Sequence, residues 1–142
     1  MDFRGIETSR LDWTGDCLAI GLFEEAIELT GDLAALDQKL SGTLSELIAE
    51  SEFKGKEGSS AITRVGANSP IRKVAIVGLG KSDALSLNSL RRAAASVARL
   101  AKREKVKTLG LDLPIQKDVA LSTQAIVEGV ELALYQDNRF KR

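Results

Sequence analysis

Histidine is absent from all 142 residues. That gap removes histidine general bases, Ser-His-Asp triads and His-containing zinc sites, and leaves carboxylate or lysine chemistry open. Cys17 is the single cysteine, so no internal disulfide can form, and a reducing, cytoplasmic setting is the simplest expectation. Aromatic residues make up only 4% of the chain, so Leu, Ile, Val and Ala must fill the core. Neither charge sign dominates: Lys plus Arg and Asp plus Glu number 20 each. A dedicated nucleic-acid binder normally shows a basic excess, which is missing here. Apolar runs stay well short of the roughly 20 residues of a membrane span, and the opening Met1-Asp2-Phe3-Arg4-Gly5 has no apolar signal region.

What is present is a globular composition, 44% hydrophobic and 28% charged, in a length that suits one domain with a real core. Two continuous apolar runs stand out. Cys17-Leu18-Ala19-Ile20-Gly21-Leu22-Phe23 and the stretch from Ile71 to Val77 read as strands buried on both faces. Cys17 is expected to be a small core residue. Phe3 to Ser9 is a weaker edge-strand candidate, followed by a turn over Leu11 to Asp16. Ala61 to Val65 and the turn cluster Gly66-Ala67-Asn68-Ser69-Pro70 predict an antiparallel hairpin with the Ile71 strand. Thr108 to Leu113 predicts a further strand, with Leu109, Leu111 and Leu113 on one face and Pro114 as its stop.

Helical signals lie between these runs. Asp32 is placed to cap a short helix bearing Leu33, Leu36 and Leu40. Thr43 and Glu46 form a capping-box pattern ahead of Leu44, Leu47 and Ile48. Ser51 to Ser60 reads as a solvated loop. Ser86 is the expected N-cap of a long helix from Leu87 to about Lys105, with Leu87, Leu90, Ala94, Val97, Leu100 and Ala101 inward. Its basic last turns complement the negative end of the helix dipole. Ser122 or Thr123 can cap a final helix with Ile126, Val127, Val130, Ala133 and Leu134 as its buried stripe. Gly129 inside it predicts close packing against a neighbour, because glycine there costs about 1 kcal/mol relative to alanine. Interleaved strands and helices imply an α/β sandwich with a mixed sheet, including a crossover from Val77 through the long helix to Thr108.

The run Lys73-Val74-Ala75-Ile76-Val77-Gly78-Leu79-Gly80-Lys81-Ser82 has the outline of a phosphate-binding turn, so Gly78, Gly80, Lys81 and Ser82 are the candidate cofactor-binding residues. Tested by spacing, the outline fails twice. A Walker loop would need its first glycine at Ala75, inside the strand, and a dinucleotide fingerprint would need its third at Asp83, where a carboxylate repels phosphate. The following helix also starts too late to offer its N-terminal amides. Lys81 could bind an anion, yet an exposed lysine after a loop is as a rule solvated. Asp112 sits near a strand end, where site residues of open α/β sheets occur, and is equally suited to turn the chain before Pro114. Asp32 and Asp37, spaced i, i+5, do not share a helix face. Neither catalytic residues nor metal ligands are assigned.

Asp16-Cys17-Leu18-Ala19-Ile20-Gly21-Leu22-Phe23-Glu24, Phe53-Lys54-Gly55-Lys56-Glu57-Gly58, Val74 to Lys81 and Leu90-Arg91-Arg92-Ala93-Ala94 follow one another in a familiar order. So do Ala125-Ile126-Val127-Glu128-Gly129, Tyr135 and Arg139-Phe140-Lys141. Together these segments resemble the N-terminal domain of the leucyl aminopeptidase (cytosol aminopeptidase) family. Asp137 and Asn138 depart from the family pattern of an aromatic followed by an acidic residue. The resemblance implies a three-layer α/β sandwich of macro-domain-like fold over 1–134, with 135–142 starting a connector to a catalytic domain outside this chain. It further implies that the full protein binds two divalent metals, zinc or manganese, in that other domain. A metal-bound water there would attack the first peptide bond of its peptide substrates. None of the family's catalytic residues maps onto these 142 positions, and the family run Asn-Thr-Asp-Ala-Glu-Gly-Arg has no counterpart.

The expected partners are therefore the chain's own C-terminal catalytic domain and further copies in a hexamer, with this domain serving assembly and access to the active site. A membrane partner is not expected, nor is nucleic acid. Two other readings stay open. One is a free-standing macro-like module for ADP-ribose or a related nucleotide. The other is a DNA-contacting domain using Arg99, Lys102, Arg103, Lys105 and Lys107.

Overall fold

A computed structural model describes residues 14–66, 69–114 and 121–130. The expected strand at Phe3 to Ser9, the connector at 135–142, and Ala133 and Leu134 lie outside the described residues. Strand β1 spans Gly15–Leu22, helices α1 and α2 span Gly31–Lys39 and Thr43–Glu50, and strands β2 and β3 span Ser60–Arg64 and Ile71–Gly78. A single 3-10 turn at Ser82–Ala84 leads into helix α3, Leu87–Arg103, and then strand β4, Leu109–Asp112. Residues 121–130 form a fourth helix, α4.

The strands form one mixed sheet in the order β2-β3-β1-β4. β1 runs parallel to both β3 and β4, while β2 is antiparallel to β3. The hairpin and the crossover are thus as expected, but β4 lies beyond β1 and does not touch β3. β1 begins earlier than its apolar run: Gly15 is registered opposite Ile71, where a turn was expected. Its neighbours provide the reason. Gly15 N donates to Pro70 O at 3.2 Å and Asp16 N to Thr108 Oγ1 at 2.7 Å, so pairing continues past the apolar residues.

Alternation along β1 divides the core. Leu18, Ile20 and Leu22 point to one face and Cys17 and Ala19 to the other. The large face, with Val74 and Ile76, meets Leu36, Leu40, Leu44 and Leu47 of the α1–α2 layer. The small face, with Ala75 and Val77, meets α3, whose buried residues include Leu90, Ala94, Val97, Ala98 and Ala101. Small residues on both partners let α3 approach the sheet closely, since interiors tolerate few voids. Layers on both faces make this an α/β three-layer sandwich.

α4 packs against α3, and its Ala125 and Val130 join the same buried core. A Cβ added to Gly129 of α4 would fall 2.2 Å from Arg91 O, so the two helix backbones touch there and only glycine fits. The close packing expected at Gly129 is therefore present. Ala93 and Ala95, which lie off the expected stripe of α3, are buried as well.

Helix starts divide into local and distant solutions. Ser86 caps α3 as expected: its Oγ accepts from Ser89 N at 3.1 Å, and Ser89 Oγ accepts from Ser86 N at 3.2 Å. The other caps differ. Asp32 lies within the first turn of α1, behind Thr30, where it still complements the dipole. Thr43 and Glu46 form no capping box. Gly42 precedes α2, and Asp37 supplies the carboxylate, accepting from Leu44 N at 2.9 Å and Ser45 N at 3.1 Å. Ser122 and Thr123 are both helical, so neither is the cap of α4.

Candidate functional site

In open α/β sheets ligands gather beyond the carboxyl ends of the parallel strands. Here that end is built from three segments: Phe23 to Ala26 after β1, Phe53 to Ser59 before β2, and Leu79 to Ser82 after β3. The candidate residues Gly78, Gly80, Lys81 and Ser82 all lie there. The structure also brings to them two partners from elsewhere in the chain, Gly55 and Glu25.

The backbone donors of the loop are engaged by the protein itself. Gly78 N donates to Ser59 O at 2.8 Å, Leu79 N to Leu22 O at 3.0 Å, and Gly80 N to Gly55 O at 2.9 Å. Gly80 O in turn accepts from Glu24 N at 2.9 Å. A phosphate group would have to displace these bonds. Gly78 has a packing reason of its own: a Cβ there would lie 1.9 Å from Lys56 O. The stretch Ser51 to Ser60 is accordingly more than a solvated loop. Phe53 and Gly55 are buried in it, and Glu57 holds Arg92 of α3 by an ion pair and hydrogen bond.

Ser82 is held differently. Its N–H donates to Glu25 Oε1 and its hydroxyl to Glu25 Oε2, each at 2.9 Å. These two bonds, backbone first, hold the exposed Glu25 carboxyl below its ordinary value of 4.5. A carboxylate of the chain thus takes both donors that an external anion would use. Glu24, Glu28 and Asp83 add negative charge near the same strand ends, and Lys81 is exposed among them. Sequence reasoning missed Glu25, because nothing local links it to a serine 57 residues away.

The remaining candidates scatter. Asp112 ends β4, half-buried and registered opposite Ile20. The basic residues Arg99, Lys102, Arg103, Lys105 and Lys107 lie along α3 and at the opposite, starting end of the strands. There Lys73 Nζ donates to Glu104 O at 2.9 Å and Lys107 N to Asp16 Oδ2 at 2.8 Å. Cys17 is fully buried, and burial together with the neighbouring Asp16 pushes its thiol up to about 12, so it is a core residue without thiolate character at neutral pH.

Comparison with known proteins decides what this arrangement belongs to. Residues 19–142 match the sequence profile described as the cytosol aminopeptidase family, N-terminal domain. The chain belongs to that family. The probable cytosol aminopeptidase of Rippkaea orientalis is 63% identical over 142 residues, covering 99% of this chain and 29% of that protein. That of Nostoc punctiforme is 65% identical over 132 residues, covering 92% of this chain and 27% of that protein. The chain therefore spans less than a third of the length of these aminopeptidases. Among solved structures, a tomato leucine aminopeptidase mutant superposes with a TM-score of 0.78 at 30% identity, covering 96% of this chain and 28% of that one. The macrodomain of Mycobacterium tuberculosis DarG superposes with a TM-score of 0.69 at 10% identity, covering 89% and 88%. That second likeness is one of fold: this chain shares the architecture of a macrodomain.

Among the described residues no three or more Cys, Asp or Glu side chains converge as metal ligands. The described helices include none long and apolar enough to cross a membrane.

Proposed function

We propose that this chain acts as the non-catalytic N-terminal domain of a leucyl aminopeptidase, a two-metal exopeptidase that removes N-terminal residues from peptides in the cytoplasm. In this reading the metals, zinc or manganese, and the peptide chemistry belong to the catalytic domain that makes up most of the relatives' length. The N-terminal domain contributes to assembly of the oligomer, a hexamer, and to access to the active site. The observation that carries this reading is the family match over nearly the whole chain, combined with its coverage of 29% of a full-length relative.

The engaged loop supports it over a nucleotide-binding role. The amides of Gly78, Leu79 and Gly80 and both donors of Ser82 are already bonded within the chain. The test is direct. Residues 1–142, supplied with manganese or zinc, should leave a leucine chromogenic substrate uncleaved, whereas the chain joined to its catalytic domain should cleave it. Removing 1–142 from the joined protein should lower the number of subunits in its oligomer. Hydrolysis by 1–142 alone, or saturable ADP-ribose binding in a calorimetric titration, would overturn the reading.

A further inference from the structure

The formal charge of zero hides a division. Residues 24–57 carry nine carboxylates against three lysines, and residues 64–107 carry eleven Lys and Arg against two carboxylates. The helices of these stretches lie on opposite sides of the sheet, since α1 and α2 pack on one face and α3 on the other.

Two pairs sharpen the pattern. Glu46 and Glu50 are exposed at i, i+4 on α2, so their side chains are neighbours on one stripe. α2 has no basic residue in its last turn, and Glu50 ends the helix where the dipole disfavours a carboxylate. Arg99 and Arg103 are exposed with the same i, i+4 spacing on α3. Like charges at that spacing repel, and among the described residues none of the four takes part in an ion pair. α4 meets α3 at the Arg91 backbone, and Arg99 and Arg103 remain exposed.

We propose that these two helix faces dock on each other between copies of the chain, the Glu46–Glu50 stripe of one copy against the Arg99–Arg103 stripe of the next. Each stripe spans four residues of helix, about 6 Å, so the two can pair charge for charge. Because the stripes lie on opposite layers, the contact is head to tail, and a copy bound through one stripe leaves the other open. This names the surface for the assembly role proposed above and rests on it.

Sedimentation velocity of 1–142 tests the contact. At low ionic strength the average mass should rise with concentration, and at about 1 M salt, where screening acts within about 3 Å, it should return to the monomer. Glu46→Lys with Glu50→Lys, or Arg99→Glu with Arg103→Glu, should each weaken association at least about tenfold, because juxtaposed like charges are costlier than a lost pair. An equimolar mixture of the two variants should associate again. A chain that stays monomeric at low salt, or association that ignores both reversals, overturns the proposal. The same reversals in the joined enzyme separate the two readings. If deleting 1–142 lowers the number of subunits per oligomer while the reversals do not, assembly stands and this surface is wrong.

Discussion

The carboxylate of Asp37 in α1 accepts the first free N–H groups of α2, from Leu44 at 2.9 Å and Ser45 at 3.1 Å, and the Ser45 hydroxyl bonds to it as well. One helix therefore caps the next. Asp37→Ala should destabilise the domain by about 1–2 kcal/mol, the usual loss on removing a cap. Thr43→Ala, whose hydroxyl donates only to Leu40 O, should cost less. Urea denaturation of both variants checks the order.

Two glycines are predicted to be irreplaceable for contact reasons. In Gly78→Ala the new methyl collides with Lys56 O, and in Gly129→Ala with Arg91 O, both backbone atoms that cannot rotate away. Each should lower stability by about 3 kcal/mol. In Gly21→Ala the nearest atoms belong to the Leu79 and Leu113 side chains and not to backbone, so it should be milder. Thermal melts of the three variants would refute this if Gly21→Ala were the most damaging.

Glu25 gives the fold an acid-sensitive contact. Its folded carboxyl lies below the ordinary value of 4.5, so its contribution is complete above that value and is lost as pH falls through the lowered one. Glu25→Gln should melt below the parent at neutral pH, and the two should converge in acid. A deficit that stays constant with pH would show that the Ser82 bonds do not depend on the charge.

Cys17 should be inert in the folded protein. With its thiol near 12 and no exposed surface, labelling by a thiol reagent at neutral pH should proceed only through unfolding, at a rate that denaturant raises. The burial carries an alkaline cost. Between the ordinary value of 9.0 and about 12 the unfolded chain ionises while the folded one does not, so stability falls as pH rises. Cys17→Ala should flatten that fall. Rapid labelling of the native chain would contradict the buried placement.

Features governed by neighbours in sequence were legible without coordinates. The apolar runs at Cys17 to Phe23 and Ile71 to Val77 could satisfy their side chains only inside a sheet covered on both faces. The Ser86–Ser89 cap spans three residues, so its geometry follows from the helix alone. Gly129 announced a close contact because a glycine inside a helix needs compensation. Family membership was readable too, since it rests on the order of segments and not on any one site.

Tertiary structure decided whatever depends on which distant groups meet. The position of β4 beside β1, the cap that Asp37 gives to α2 and the hold of Glu25 on Ser82 join residues through relative positions that no local pattern encodes. The glycine loop shows the division most clearly. Its spacing alone argued against a phosphate site, but that Ser59, Leu22, Gly55 and Glu25 take its donors became visible only when the chain was folded. A buried donor must find some acceptor; the sequence states the need, and the packing of three separate loops selects the partner.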